Sequence, residues 1–179
     1  MKILLFHDTF LMKWGAERMN IEIAKILGCD IATAIWKSDC YDARSMGFQW
    51  RVFEVFSEFQ KWMLGFLRMK WRFFRSWKLL REYDAVFFSN EAISGIWSIK
   101  PGTKTYYYAH SISRHLFDLY DQYLAKVPWY AKVPYRIMAY LLKRLYIAEV
   151  KRIDIIFVNS TKNKERIKDW FGRDDAIVL

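Results

Sequence analysis

The stretch TKTYYYAHSISRHLFDLYDQYL, residues 103–124, sets a run of tyrosines against an abrupt polar stop at His110. The β-formers read as a buried strand, and the small hydroxyl residues, Arg114 and the amphipathic turn that follow read as the segment leaving its end. Further strand-like runs lie at KILLFH (2–7), CDIATAIW (29–36), QWRVFEV (49–55), YDAVFFSN (83–90) and IDIIFVNS (153–160). Between the first two, WGAERMNIEIAKIL (14–27) carries apolar residues at helical spacing up to Gly28, a helix stop. Strands alternating with helices predict an α/β fold, a Rossmann-like parallel sheet with helices on both faces, because parallel neighbours need a crossover connection.

At 179 residues the chain suits one domain with a full core, residues 1–179. Hydrophobic residues at 54% and aromatics at 19% exclude a disordered chain. No apolar run approaches a bilayer span, and MKILLF is interrupted by His7 and Asp8 before it could serve as a signal peptide, so the chain reads as cytoplasmic. In that compartment Cys29 and Cys40, which lack metal-binding or redox spacing, are expected as reduced thiols. The final DDAIVL begins a strand with nothing to close it, which predicts that the native polypeptide continues.

The net charge of +10 is concentrated in two segments, +7 over residues 59–81 and +5 over 132–153, while the other three stretches are near neutral. Residues 59–81 predict one long helix with Trp62, Met69, Phe73, Trp77 and Leu80 on its apolar side and Lys61, Arg68, Arg72 and Arg75 opposite, with Lys70 at the apolar edge. A Trp- and Phe-rich basic helix without one acid has the composition of an interfacial membrane helix. The second basic helix predicts an apolar stripe through Met138, Leu141, Leu142 and Leu145. A core-facing helix with a solvated basic face explains either pattern as well.

In a doubly wound sheet, ligands bind beyond the carboxyl ends of the strands. That rule selects His7 and Asp8, Ser89, Asn90 and Glu91, His110 and Ser111, and Asn159 and Ser160. Both strand-end histidines, His7 and His110, are expected to face one crevice. The loop HDTFLMKWGAER leads into the first helix, where backbone N–H groups favour an anion and Gly15 permits close approach. Capping polar residues and an ordinary turn are the plainer readings. Motifs for metalloproteases, Walker A nucleotide sites, C-x-x-C centres and G-x-S-x-G hydrolases are absent, which argues against a metal.

In order along the chain, KILLFHDTF with WGAERMNIEIAKIL, FSNEAISGIW, YYYAHSISRHLFDLYDQYL and VNSTKNKERIKDWFGRDDAIVL resemble the N-terminal half of a glycosyltransferase family 4 enzyme of GT-B fold, with a gap over residues 36–83. The resemblance implies an acceptor-side domain facing a C-terminal nucleotide-sugar domain that this chain lacks, so the chain alone would be inactive. It implies retaining transfer without an essential metal, from a nucleotide sugar to a polysaccharide or lipid-linked acceptor at the cytoplasmic membrane face. The mannosyltransferase-like members of the family point to GDP-mannose as donor. By the same resemblance His110 reaches the donor sugar, Gly15 and Ala16 approach the donor diphosphate, and Arg114 follows in the histidine motif. His7, Asp8, Asn90, Glu91 and Ser111 would line the acceptor cleft, and Lys61, Trp62, Arg68, Arg72, Arg75 and Trp77 the membrane surface. One departure stands out: Trp14 occupies a position where members often carry a second glycine. A rival from another class is a basic nucleic-acid module, for which the aromatics sit on a helix rather than on a sheet platform.

Overall fold

The computed structural model describes residues 1–55, 63–110 and 112–179; Lys61, Trp62 and Ser111 lie outside the described residues. Among those described, β1 (Ile3–Phe10), β2 (Asp30–Trp36), β3 (Val52–Glu54), β4 (Ala85–Ser89), β5 (Lys104–Ala109), β6 (Ile155–Val158) and β7 (Ile177–Val178) form one sheet. The order is β3-β2-β1-β4-β5-β6-β7, and every pair is parallel. The helices are α1 (Gly15–Leu27), α2 (Met63–Phe74), α3 (Trp77–Leu80), α4 (Tyr120–Lys126), α5 (Lys132–Lys151) and α6 (Thr161–Phe171). The sheet is thus the Rossmann-like one that the alternation predicts, with helices packed on both faces.

Successive strand residues point to opposite faces, and the two cores follow that period. Leu5, Ile31, Phe87 and Tyr108 face α1 and the 37–50 segment, where Ile21, Ala24, Cys40 and Phe48 cover them. Leu4, Phe6, Val86, Phe88 and Tyr107 face the other way, onto Phe73 of α2, Leu80 of α3, Tyr146 of α5 and Phe171 of α6. Phe6 meets Phe73 edge-on at 4.9 Å, and truncating so buried a ring costs about 3–5 kcal/mol. Gly28, with φ 60°, ends α1 as expected, in a backbone conformation that favours glycine.

After β4 the chain runs as 3-10 helix from Asn90 to Ser98. Nine residues is long for this conformation, and close approach to the sheet accompanies it. A Cβ on Gly95 would come within 3.0 Å of the Phe6 and Phe88 rings. The glycine therefore lets this segment lie against the sheet and places Asn90 and Glu91 beside the end of β1.

Four expectations change. Strand β1 runs on to Phe10, so His7 and Asp8 lie within it rather than in the loop beyond. The segment expected as one long basic helix is broken after Phe74, where Ser76 returns its hydroxyl to the Arg72 carbonyl at 2.9 Å, and α3 restarts at Trp77. Lys70, expected at the edge of the apolar side, is enclosed, because two carboxylates meet it there. In α5 the buried stripe runs through Ala139, Leu142, Tyr146 and Val150, which leaves Leu141 exposed and Leu145 only partly covered.

Candidate functional site

Consecutive connections leave β1 toward β2 and enter β4 on its other side, so the switch in strand order falls between β1 and β4. Beyond the carboxyl ends of the strands there lies a cleft of about 610 Å³. Asp8 and Thr9 of β1, Trp14 to Glu17 and Met19 at the start of α1, Asn90, His110 and Asn159 line it.

The amino end of α1 presents its backbone to this space. Trp14, the residue before the helix, is extended and makes no side-chain cap bond to the first turn. A Cβ on Gly15 would meet nothing within 4 Å, and the residue does not have positive φ. Neither sterics nor strain in the fold requires glycine here, and its bare backbone opens onto the cleft. First-turn N–H groups, which helix geometry leaves without carbonyl partners, and the positive end of the helix dipole suit an anion.

His110 follows β5 with its ring edge-on to Tyr108 at 4.2 Å. Its carbonyl oxygen accepts from the Asn159 amide at 3.2 Å and the Asn163 amide at 3.3 Å, and Asn163 also donates to Asn159 Oδ1 at 2.7 Å. Two asparagines one helical turn apart thus fix the peptide of the histidine. Burial, reinforced by the nearby His7, pushes the imidazole down to about 3, so the ring is neutral near pH 7. Its Nε2 is buried and has no hydrogen-bond partner among the described residues. The ring thus lines the cleft as a neutral imidazole.

His7 is placed differently. It is 1% exposed and is not among the residues that line the cleft. Its Nδ1 lies 3.1 Å from the Asn20 side-chain amide, 3.1 Å from Ser89 Oγ and 3.2 Å from Asp8 Oδ1. Burial holds this ring also at about 3, so it remains neutral. Burial, with the nearby Glu91 charge, raises Asp8 to about 7 against hydrogen bonds from the Thr9 and Glu91 backbone and the Asn90 side chain.

Asn90 has φ 52°, the left-handed region that non-glycine residues seldom enter and asparagine tolerates best. Such conformations gather at functional sites. Glu91 points elsewhere: its carboxylate lies 2.8 Å from Lys70 Nζ and accepts from Ser113. Arg114 is not part of the lining; it is exposed and paired with Asp118 at 3.0 Å. Arg68, Arg72, Arg75 and Trp77 are exposed on α2, the following turn and α3, with the Arg75 guanidinium 5.8 Å from the Trp71 ring centre.

The structure therefore gathers Gly15, Ala16, Asp8, Asn90 and His110 around one cleft and leaves His7, Glu91 and Arg114 outside its lining. Sequence reasoning missed Trp14, Glu17 and Asn163 as contributors. The N-x-x-x-N spacing of Asn159 and Asn163 was the available signal for the last. Among the described residues no group of three or more His, Cys, Asp or Glu could hold a metal ion, and no helix is long and apolar enough to cross a membrane. Both cysteines are free and buried.

The architecture is that expected for one half of a GT-B fold. Neither a protein-family model nor a curated protein matches the sequence. Among solved structures the chain is similar to Anabaena Alr3699/HepE in complex with UDP, at TM-score 0.65 and 16% identity over 100% of this chain and 43% of that one. The same protein with UDP and glucose gives 0.65 and 17%, over 100% and 44% of the two chains. With UDP-glucose it gives 0.63 and 16%, over 100% and 43%. The chain thus spans less than half the length of this structural neighbour, and the likeness is one of fold.

Proposed function

We propose that the chain is the acceptor-side domain of a retaining, metal-independent glycosyltransferase that takes a hexose from a nucleotide-sugar donor. The observation that carries this reading is the cleft at the switch point, where the open amino end of α1 at Gly15 and Ala16 and the neutral His110 imidazole share one space. The UDP and UDP-glucose held by the structural neighbour support a nucleotide-sugar ligand. The remaining length of that neighbour supports a second, C-terminal domain that completes the cleft. The acceptor in this reading is a polysaccharide or lipid-linked one at the cytoplasmic membrane face, and the exposed Arg68, Arg72 and Arg75 support the membrane side of it.

In the proposed reaction the bond between the anomeric carbon and the donor phosphate breaks, and the acceptor oxygen bonds to the same face of that carbon. The acceptor proton passes to the departing diphosphate. Positive charge develops on the sugar and negative charge on the leaving group, so positioned donors matter more than a strong base. The α1 N–H groups stabilise the diphosphate. His110, neutral and fixed through its carbonyl by Asn159 and Asn163, binds the sugar beside the reacting carbon. Asp8 and Asn90, which line the same cleft, contact the acceptor.

The test is sugar transfer by the longest polypeptide that contains this chain, supplied in turn with UDP-glucose and GDP-mannose and with a lipid-linked acceptor. Transfer from one donor with retained anomeric configuration, lost in His110→Ala, is the expected result. Transfer undiminished in that variant would remove His110 from the reaction, and no turnover with any nucleotide sugar would remove the enzyme reading.

A further inference from the structure

Helix α5 has two apolar faces, and the fold covers only one. Ala139, Leu142, Tyr146 and Val150 are buried against the domain. On the opposite side Val133, Ile137, Tyr140 and Leu141 recur at helical spacing and are each more than half exposed. The turn that leads into the helix adds Trp129, 83% exposed, and Tyr130, 69% exposed. An uncovered apolar stripe of this size marks an interaction surface.

Charge says what covers it. Between Asp121 and Glu149 the chain has no acid, whereas Lys126, Lys132, Arg136, Lys143 and Arg144 are all cationic. Arg144 continues the exposed stripe itself, one turn beyond Tyr140. The core of a protein–protein interface is depleted of charge, while interfacial membrane helices combine cations with Trp, Tyr and aliphatic residues. Tertiary structure also joins the two segments that hold all of the net charge: α2 and α5 share one face of the sheet, tied through Lys70 and Glu149 at 3.6 Å. On α2, Trp71 and Phe74 are exposed beside Arg68, Arg72 and Arg75.

We propose that the outward stripe of α5, with Trp129 and Tyr130, is a lipid-docking surface that seats among the headgroups of a bilayer rich in anionic phospholipid. The apolar side chains enter the interface, and the cations draw the surface to it. This rests on the membrane-side acceptor of the reading above and not on its sugar chemistry. It assigns the apolar contact to α5, with the basic α2 surface adding charge beside it.

The test is co-sedimentation of the chain with vesicles of phosphatidylcholine alone and of phosphatidylcholine with phosphatidylglycerol. Wild-type protein is expected to bind the anionic vesicles, and Ile137→Gln, Tyr140→Gln and Leu141→Gln combined to weaken binding at least tenfold with an unchanged circular-dichroism spectrum. Arg136→Gln with Arg144→Gln is expected to lose the preference for anionic vesicles. Wild-type protein that ignores vesicles, or a triple variant that binds as wild type does, would overturn the proposal. So would a concentration-dependent dimer that the triple variant dissolves, since a second copy would then be the occupant. UDP-glucose titration without vesicles reads the donor separately, so a failed lipid result and a failed sugar result are distinguishable.

Discussion

Lys70 Nζ lies 2.8 Å from Glu91 Oε2, with Glu149 at 3.6 Å and the Ser94 hydroxyl at 3.0 Å, in the layer between α2, the 90–98 helix and α5. Burial opposes all three charges. The Lys70 ammonium nevertheless holds Glu91 below the ordinary carboxylate range, whereas burial leaves Glu149 above it. Lys70→Met strands two carboxyl groups in the core and is expected to destabilise the fold by about 3–5 kcal/mol. Adding Glu91→Gln and Glu149→Gln is expected to recover much of that loss. Urea denaturation of the single and triple variants measures both.

Removing the His110 ring leaves its carbonyl and the asparagine clamp in place. His110→Ala is therefore expected to keep its melting temperature within a few degrees and lose sugar transfer by about 10²-fold or more, the scale of losing one positioned donor. Asn163→Ala tests the clamp: transfer is expected to fall less, and transfer with Asn163→Gln to stay low because the longer side chain misplaces the amide. Transfer rates and melting curves on the same preparations separate these outcomes.

Gly15→Val places a branched side chain where nothing in the fold stands in its way. Thermal stability is expected to stay near wild type, while affinity for UDP and UDP-glucose falls at least tenfold. Calorimetric titration of the longest polypeptide that contains this chain, with differential scanning calorimetry alongside, checks both. Equal affinity in the variant would mean that no phosphate approaches this turn.

His7 and His110 both titrate near 3 in the fold against 6.5 for the free side chain. The unfolded chain therefore binds more protons below 6.5. Their contribution to stability is fully present above that value and is lost as pH falls toward about 3. His7→Gln is expected to flatten this part of the pH–stability curve, which urea midpoints between pH 3 and 7 would record.

Asp8 has the opposite sign. Its carboxyl is raised from 3.8 to about 7, so its favourable contribution is complete below 3.8 and is lost as pH rises through about 7. Relative to wild type, Asp8→Asn is expected to gain stability between those values and to hold a constant advantage of a few kcal/mol above them. An advantage that stays constant between pH 3.8 and about 7 would show that the carboxyl is ionised in the fold throughout that range.

Much of the architecture was legible because it rests on local pattern. The tyrosine run before His110, the alternation of strand and helix, and Gly28 at the end of α1 each follow from backbone preference and the period of burial. The break after Phe74 was not legible, since the apolar positions keep helical spacing across it. The two faces of α5 were equally hidden: Leu141 and Leu142 are the same residue type in adjacent positions, and only the neighbouring elements decide which one is covered.

Local pattern in the chain specifies the α/β class, the concentration of positive charge in two segments and the polar strand ends from which a site could be built. All of these are properties of residues near one another in the chain. Tertiary structure alone decided that His110 and Gly15 share a cleft while His7 is enclosed beside Ser89 and Asn20. It also buried Lys70 between Glu91 and Glu149 and set the two basic segments on one face of the sheet. Those outcomes depend on strand order and on how closely the 90–98 helix approaches the sheet, and they join residues far apart in sequence whose separate patterns carry no record of the meeting.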